Sequence, residues 1–357
     1  MRRYILEMLK KSEGQPVSGT ELSKKLEISR TAIWKHMNVL KNEGYEIESV
    51  AKKGYILHSV PDRLLPEELV SFLETKWLGH NINYNESVTS TNSIAKELGN
   101  DNCPNGQICI CEEQLNGRGR LRRGWFSPYA KGVWFSVLLK PSCMPNEASK
   151  FTLFAAVAVV KAINSYKGVD AKIKWPNDIL IDNKKLVGIL TEMNAEFGHI
   201  NYIVIGTGIN VNISKDSIPE DIKDTSVSLM DVAKEPISRA ELLAKILKNM
   251  EDLYEIIEEK GFSEILAEWR KLSCTLGQDV KVIAPDETYY GVADDIDEGG
   301  LLLVKRADGK GIARVIAGDV SIRSANREKY WYFLLQKVDV NKFYFFVKIV
   351  VILWNMM

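Results

Sequence analysis

The sequence predicts an α+β multidomain chain: an N-terminal winged helix-turn-helix, a central α+β domain on one mixed sheet, and a small C-terminal β-barrel of SH3-like type. Three observations carry this. Residues 1–60 hold short helical patterns followed by a basic hairpin. Residues 65–272 interleave apolar strand runs with long helices, and residues 273–325 are short alternating strands joined by glycine-rich turns. A length of 357 residues accommodates two or three domains.

Bulk composition narrows the class of partner. Lys+Arg and Asp+Glu both number 47, so the whole chain is not a polyanion binder. The five cysteines (103, 109, 111, 143, 274) form no CxxC pair, which favours reduced thiols in a cytoplasmic protein over a disulfide framework or structural zinc. "MRRYILEMLKK" is interrupted by Glu7 and reads as a first helix rather than a signal peptide.

Residues 1–62 form the first expected domain. Its first 60 residues carry 11 Lys/Arg against 7 Asp/Glu, a local positive excess. Within "SGTELSKKLEISRTAIWKHMNVLKNEG", Ile33, Met37 and Leu40 recur at helical spacing and define a buried face. Ser29 is placed to cap this helix and Gly44 to end it. The opposite face carries Thr31, Trp34, Lys35 and Asn38, and the hairpin "YEIESVAKKGYIL" turns at Lys52 and Lys53. Thr31, Lys35 and Asn38 are candidates for base edges, with Trp34 beside them on the same DNA-binding face; Arg30, Lys52 and Lys53 are candidates for phosphates. A plainer alternative is a three-helix interaction domain with a solvated basic face. So small a DNA reader needs a dimer for useful specificity.

"PDRLLPEEL" supplies two prolines and a helix start, placing a boundary near 62–66 and a second domain over 65–272. Strands are expected at 106–114, 131–140, within "KIKWPNDILI" and "KKLVGILTEMNAEF", and at 201–212, with a buried helix over 150–166. Between the first two strands lies "GRGRLRRGW" (117–125), with four arginines, three glycines and no acid. Its glycines oppose helix formation, and before Trp125 only Leu121 offers a large apolar side chain to bury. No GxxxxGK[ST] is present, so it is not a P-loop. Polar clusters recur at other strand ends: "STN" at 90–92, Gln114, "KWPND" at 174–178, Lys185, and "GTGIN" at 206–210.

In combination, "GRGR", "KWPNDI", "KLVGIL" and "GTGINVN" resemble the biotin–protein ligases. Over about residues 1–325 the arrangement is similar to the bifunctional form that is also the biotin-operon repressor. The resemblance implies joining of biotin to ATP, giving biotinyl-5′-AMP and pyrophosphate, with Mg²⁺, and then transfer of biotin to one lysine of a carboxylase carrier domain. It further implies a homodimer that binds operator DNA when the adenylate is bound, and no membrane partner. The residue types suit this chemistry. A carboxylate must attack an α-phosphorus, so two anions approach each other, and positioned cations lower that barrier without a protein nucleophile.

By the same resemblance, Arg118 and Arg120 grip the reacting carboxylate and phosphates, and Lys185 places a point charge at the reacting centre. The plainer reading of Lys185 is a solvated turn lysine beside Lys184. Ser90, Thr91, Asn92 and Gln114 are expected around the biotin ring system, with Gly119, Gly206 and Gly208 allowing close backbone approach. "STN" also reads as a helix cap, and both roles are compatible. Asn177, Asp178 and Asn210 are expected near the nucleotide and its Mg²⁺, without any residue assigned as a metal ligand. Trp125 is expected over the adenine, while Trp134 and Trp175 read as core.

The third expected domain, 273–325, ends in "GDVSIRS", where Arg323 matches an arginine that reaches toward ATP and Asp319 stands where glutamate is more usual. Two features depart from the family pattern. Arg122 occupies a loop position commonly held by glycine, which restricts closure if that position needs positive φ. Residues 326–357 form an atypical hydrophobic tail: nine of the 28 residues from Tyr330 to Met357 are aromatic. Its run at 343–354 falls short of the roughly 20 residues that span a bilayer. Two rival functions remain open at this point: a non-catalytic transcription factor that senses a small molecule, and a lipoate–protein ligase.

Overall fold

The computed structural model describes residues 1–284, 286–315 and 319–322. The expectations for Arg323 and for the hydrophobic tail lie outside the described residues. The chain divides into two compact units, Met1–Ser273 and Cys274–Met357.

The first unit begins with three helices, α1 (Arg2–Lys11), α2 (Gly19–Leu26) and α3 (Arg30–Asn42). Ile5, Leu9, Leu22, Ile33, Met37 and Leu40 form their common core. Two of the helices start at hydroxyl caps: Ser18 accepts from the Glu21 amide at 3.0 Å and Ser29 from the Ala32 amide at 3.1 Å. Each such cap is worth about 1 kcal/mol. Gly44 (φ +99°) follows α3. The wing is the antiparallel hairpin β1 (Glu46–Val50) and β2 (Gly54–Ser59), turning at Lys52 in the left-handed region (φ 62°). Gly54 has no alternative: a β-carbon there would lie 2.0 Å from the Val17 carbonyl oxygen, and its φ is +124°.

Next come α4 (Pro66–Phe72), β3 (Ile82–Val88), α5 (Thr91–Asn100), β4 (Gln107–Gln114) and β5 (Gly132–Leu139). They are followed by α6 (Lys150–Ile163), β6 (Lys172–Lys174), β7 (Asp178–Ile181), β8 (Lys184–Glu196) and β9 (His199–Asn210). The unit closes with α7 (Leu229–Ala233), α8 (Arg239–Lys260) and α9 (Ser263–Leu272). The strands make a seven-stranded sheet in the order β3-β4-β5-β9-β8-β7-β6. Only β3 and β4 run parallel, so the sheet is mixed. The stretch "KIKWPNDILI" is two short strands joined by a turn, because Pro176 cannot donate to a ladder.

The two sheet faces have different tasks. On one, α6 is buried along nearly its whole length and packs against α8, α9 and β8. Each fully buried Val, Leu or Phe there contributes roughly 1.5–3 kcal/mol. On the other, α5 covers β4, β5 and β9 through Ala95, Cys109, Leu138, Tyr202 and Val204, leaving its N-terminus over the sheet centre.

A buried charge network fixes the segment between the wing and α4. Arg239, fully buried, donates to the carboxylates of Asp62 and Glu112, each at 3.0 Å, and to the carbonyls of Asp62 and Gly132. Glu112 also accepts from the Leu64 amide at 2.7 Å. Tyr45 of the head donates to Glu68 of α4 at 2.7 Å, and Lys10 meets the same carboxylate at 2.8 Å.

Considered by itself, the C-terminal unit is an antiparallel sheet. Its strands are β10 (Asp279–Ile283), β11 (Thr288–Ile296), β12 (Leu302–Arg306), β13 (Ile312–Val315) and β14 (Asp319–Ile322), in the order β13-β12-β11-β10-β14. Among the described residues the sheet is open, with β13 and β14 as its edges, so the expected closed barrel is not seen there. Among the described residues, no helix is long and apolar enough to cross a membrane.

Candidate functional site

The N-terminus of α5 starts the site. Ser90 occupies the cap position but its hydroxyl makes no cap bond. The Thr91 amide instead donates to Gln114 Oε1 at 3.0 Å, tying the helix to the end of β4. Gln114 in turn donates to Ser127 Oγ at 3.1 Å. Ser136, fully buried in β5, donates to Asn92 Oδ1 at 2.6 Å and shares a hydrogen bond with Thr91 Oγ1 at 2.7 Å. Asn92 Nδ2 donates to Glu192 Oε2 at 2.8 Å and to the Leu190 carbonyl at 3.2 Å. Burial pushes the Glu192 carboxyl up, but the bonds from Lys96 and Asn92 outweigh it and hold it below the ordinary carboxylate range. Thr91, Asn92 and Gln114 are therefore linked, through Ser136, in one polar cluster on the α5 face of the sheet, with Ser90 buried next to them in the chain.

Glycines form the floor beside it. A β-carbon on Gly206 would lie 2.0 Å from Asn92 Oδ1, so only glycine admits that amide. Gly208 and Gly188 face Trp125: added β-carbons would lie 2.3 Å from its Nε1 and 2.8 Å from its Cζ3. The indole thus rests on two glycines of β9 and β8, with its Nε1 buried and without a hydrogen-bond partner. Trp134 and Trp175 are buried, as expected of core residues.

The arginine-rich loop folds over this floor as a miniature hairpin. The Trp125 amide donates to the Gly117 carbonyl at 2.9 Å and the Gly119 amide to the Arg123 carbonyl at 2.7 Å. Its tip is a single 3-10 turn, Arg120–Arg122, and its left-handed residue is Leu121 (φ 54°). Arg118 reaches Ser93 Oγ at 3.3 Å, and Arg120 reaches Asn177 Oδ1 at 3.2 Å. The adjacent Asp178 pairs with Lys185 at 2.7 Å, and Lys185 Nζ sits 5.3 Å from the Trp125 ring centroid. The Lys185 main chain is pinned independently, its amide donating to Thr225 O and its carbonyl accepting from the Val227 amide. Asn210 donates to the Val227 carbonyl at 3.3 Å, which brings it to the same edge.

Arg120 and Lys185 therefore bring positive charge to one side of a glycine floor, while Arg118 lies on the other beside the α5 cluster. Such a surface suits a ligand with an anionic middle and a polar ring at one end. Burial pushes the Cys109 thiol up to about 12 and raises that of Cys111, so neither supplies a nucleophile at neutral pH. Ser136, Ser127, Glu192 and Gly188 belong to this site and were not singled out from the sequence. Ser136 is the one polar residue in "VWFSVLL", and that interruption was the available signal. In the head, Arg30, Thr31, Trp34, Lys35, Lys52 and Lys53 are exposed and Asn38 half-buried. α3 and the wing enclose a cleft of about 700 Å³ lined by Arg30, Thr31, Trp34, Lys52 and Lys53.

Comparison with known proteins agrees with these features. The Biotin/lipoate A/B protein ligase family matches residues 84–210, an HTH domain family residues 2–56, and the Biotin protein ligase C terminal domain residues 275–323. The chain is similar to the bifunctional ligase/repressor BirA of Bacillus subtilis, 38% identical over 322 residues, covering 90% of this chain and 98% of the relative. It is 29% identical over 317 residues to the bifunctional ligase/repressor BirA of Escherichia coli, covering 88% of this chain and 96% of the relative. A solved biotin protein ligase from Aquifex aeolicus, in complex with biotin and ATP, superposes with a TM-score of 0.59 at 29% identity, covering 69% of this chain and all of that one. The chain belongs to the biotin/lipoate A/B protein ligase family, among its bifunctional ligase/repressors.

Proposed function

We propose that this protein joins biotin to ATP, transfers biotin from biotinyl-5′-AMP to a lysine of a biotin carboxyl carrier domain, and represses transcription of biotin genes when the adenylate is bound. The observation that carries the reading is the meeting of Arg120 and Lys185, from two distant segments, at the adjacent residues Asn177 and Asp178 beside the Gly188–Gly208 floor. Ser90, Thr91, Asn92 and Gln114 bind the biotin rings, with Gly119, Gly206 and Gly208 in close approach. Arg118, Arg120 and Lys185 oppose the repulsion between the biotin carboxylate and the α-phosphate. The carboxylate oxygen attacks phosphorus and pyrophosphate leaves; later the carrier lysine attacks the biotinyl carbonyl and AMP leaves.

Asp178 is the carboxylate here that would hold Mg²⁺, which takes one or two carboxylates plus waters and phosphates, with Asn177 next to it in the chain. Mg²⁺ there would neutralise charge on the triphosphate. Trp125 must leave Gly188 and Gly208 for the ligand to enter, after which its flat ring stacks on adenine. Closure of this loop around biotinyl-AMP then favours dimerisation. The C-terminal sheet is read as an SH3-like barrel. The domain limits are taken as 1–62, 65–272 and 273–325, and the protein as cytoplasmic.

The test is incubation with biotin, ATP and a carrier domain. The carrier is expected to gain the mass of one biotinyl group at a single lysine, and its Lys→Arg form none. Ligand-dependent DNA binding with an unmodified carrier would instead support a non-catalytic sensor, and competition by lipoate a lipoate ligase. Two variants probe the floor and the loop. Gly208→Ala places a methyl where the indole and ligand lie, and a rise in biotin KM of at least tenfold is expected with the melting temperature nearly unchanged. Arg122→Gly removes a β-carbon next to left-handed Leu121 and is expected to slow release of preformed biotinyl-AMP several-fold. Unchanged release in a chase experiment contradicts the loop reading.

A further inference from the structure

The exposed face of α3 carries an apolar side chain that phosphate binding does not use. Trp34 is 56% exposed, although Ile33, Met37 and Leu40 beside it are almost wholly buried. It lies one helical turn after Thr31 and one before Asn38 on the same face. Thr31 to Asn38 spans about 10 Å along the helix, the length of about three base pairs. Trp34 therefore stands at the middle of the triplet this face can reach. The cleft it lines contains Arg30, Lys52 and Lys53 and, among its lining residues, no carboxylate. That charge selects a polyanion over an apolar or basic protein partner.

We infer that Trp34 is a specificity-determining residue that packs its indole against the C5-methyl group of thymine in the major groove. The inference rests on the reading of α3 as the DNA-recognition helix. Within the major groove, the thymine methyl is the apolar group that distinguishes one base pair from another. Deoxyribose is the other apolar surface of DNA, but it is the same at every position and contributes no preference. An indole also covers more apolar area than the threonine methyl of Thr31 one turn earlier, which makes it the dominant apolar reader on this helix.

The test uses the full chain with biotin, ATP and Mg²⁺, and a pool of random-sequence duplexes from which a binding sequence is enriched. Each thymine of that sequence is then replaced singly by deoxyuridine, which removes only the methyl group. Wild type is expected to bind about fourfold more weakly at one position per half-site, the effect of one buried methyl-sized group. Trp34→Ala is expected to bind the thymine and uracil duplexes equally, while Lys35→Ala keeps the discrimination. Because Trp34 is exposed, the variant is expected to fold, and the uracil scan on wild type stands without it. An enriched sequence that tolerates every uracil replacement, or a Trp34→Ala variant that still discriminates, overturns the inference alone. Failure to enrich any sequence overturns the DNA-binding reading beneath it as well.

Discussion

Lys185→Ala is expected to lower biotin-dependent pyrophosphate exchange by about two to three orders of magnitude, the usual effect of removing one preorganised donor at a site of developing charge. The side chain is about one-third exposed, and its partner Asp178 is one-fifth exposed, so their ion pair adds little to stability. The main chain of residue 185 is held by Thr225 and Val227 whatever side chain it carries. Loss of exchange without loss of melting temperature therefore identifies a role at the reacting atoms. The split between kcat and KM adds detail: a fall mainly in kcat is expected if the ammonium acts on the attacking carboxylate and phosphate, and a rise mainly in KM if it only captures ATP. A variant with more than about half of wild-type exchange contradicts the assignment.

Arg239→Ala is expected to destabilise the first unit by about 3–5 kcal/mol, the range for breaking a buried ion pair from one side. Arg239 and Glu112 are both fully buried, so the substitution leaves the Glu112 carboxylate with only the more distant Arg63 at 3.9 Å as counter-ion and orphans the Gly132 and Asp62 carbonyls. A fall in melting temperature of about 10 °C or more is expected in thermal denaturation. Pairing Arg239→Met with Glu112→Gln is expected to recover part of the loss, because no unpaired charge then stays buried. The same network anchors Asp62 and Leu64, so the single variant is also expected to be cut faster by protease between the wing and α4. Equal stability of Arg239→Ala and wild type contradicts this account of the linkage.

The two expectations differ in how visible they were in the sequence. Lys185 was singled out through the resemblance carried by "KLVGIL"; its residues alone read as a solvated turn lysine beside Lys184. The caps were legible, since Ser29 before "RTAIWKHMNVLKN" has one local task. Arg239 was not: its partners Glu112 and Asp62 lie 127 and 177 residues away, and nothing in the local pattern marks them as buried. Glu112 reads as the polar end of a strand and Arg239 as an ordinary charge at the start of a helix. Periodicity reports which face of an element is apolar, not which charge that face conceals.

Trp125 illustrates a second limit. Sequence placed it on a loop with an adenine to cover, but not the two glycines, Gly188 and Gly208, on which the indole lies. Asn92 has structural partners that the sequence did not show: its Nδ2 serves Glu192 and the Leu190 carbonyl and its Oδ1 accepts from Ser136. Its task is first to hold α5 on the sheet. The strand arrangement between those points followed from runs of Val, Ile and Leu, but the split of "KIKWPNDILI" into two strands depended on the turn chemistry of Pro176 and Asn177.

The most direct measurement is exchange of labelled pyrophosphate into ATP by the purified full-length protein, with biotin present or absent. Exchange that requires both biotin and Mg²⁺, and falls about a hundredfold or more in Lys185→Ala, is the expected result. No biotin-dependent exchange from folded protein, or exchange indifferent to Lys185, would contradict the assignment of this site to biotin adenylation.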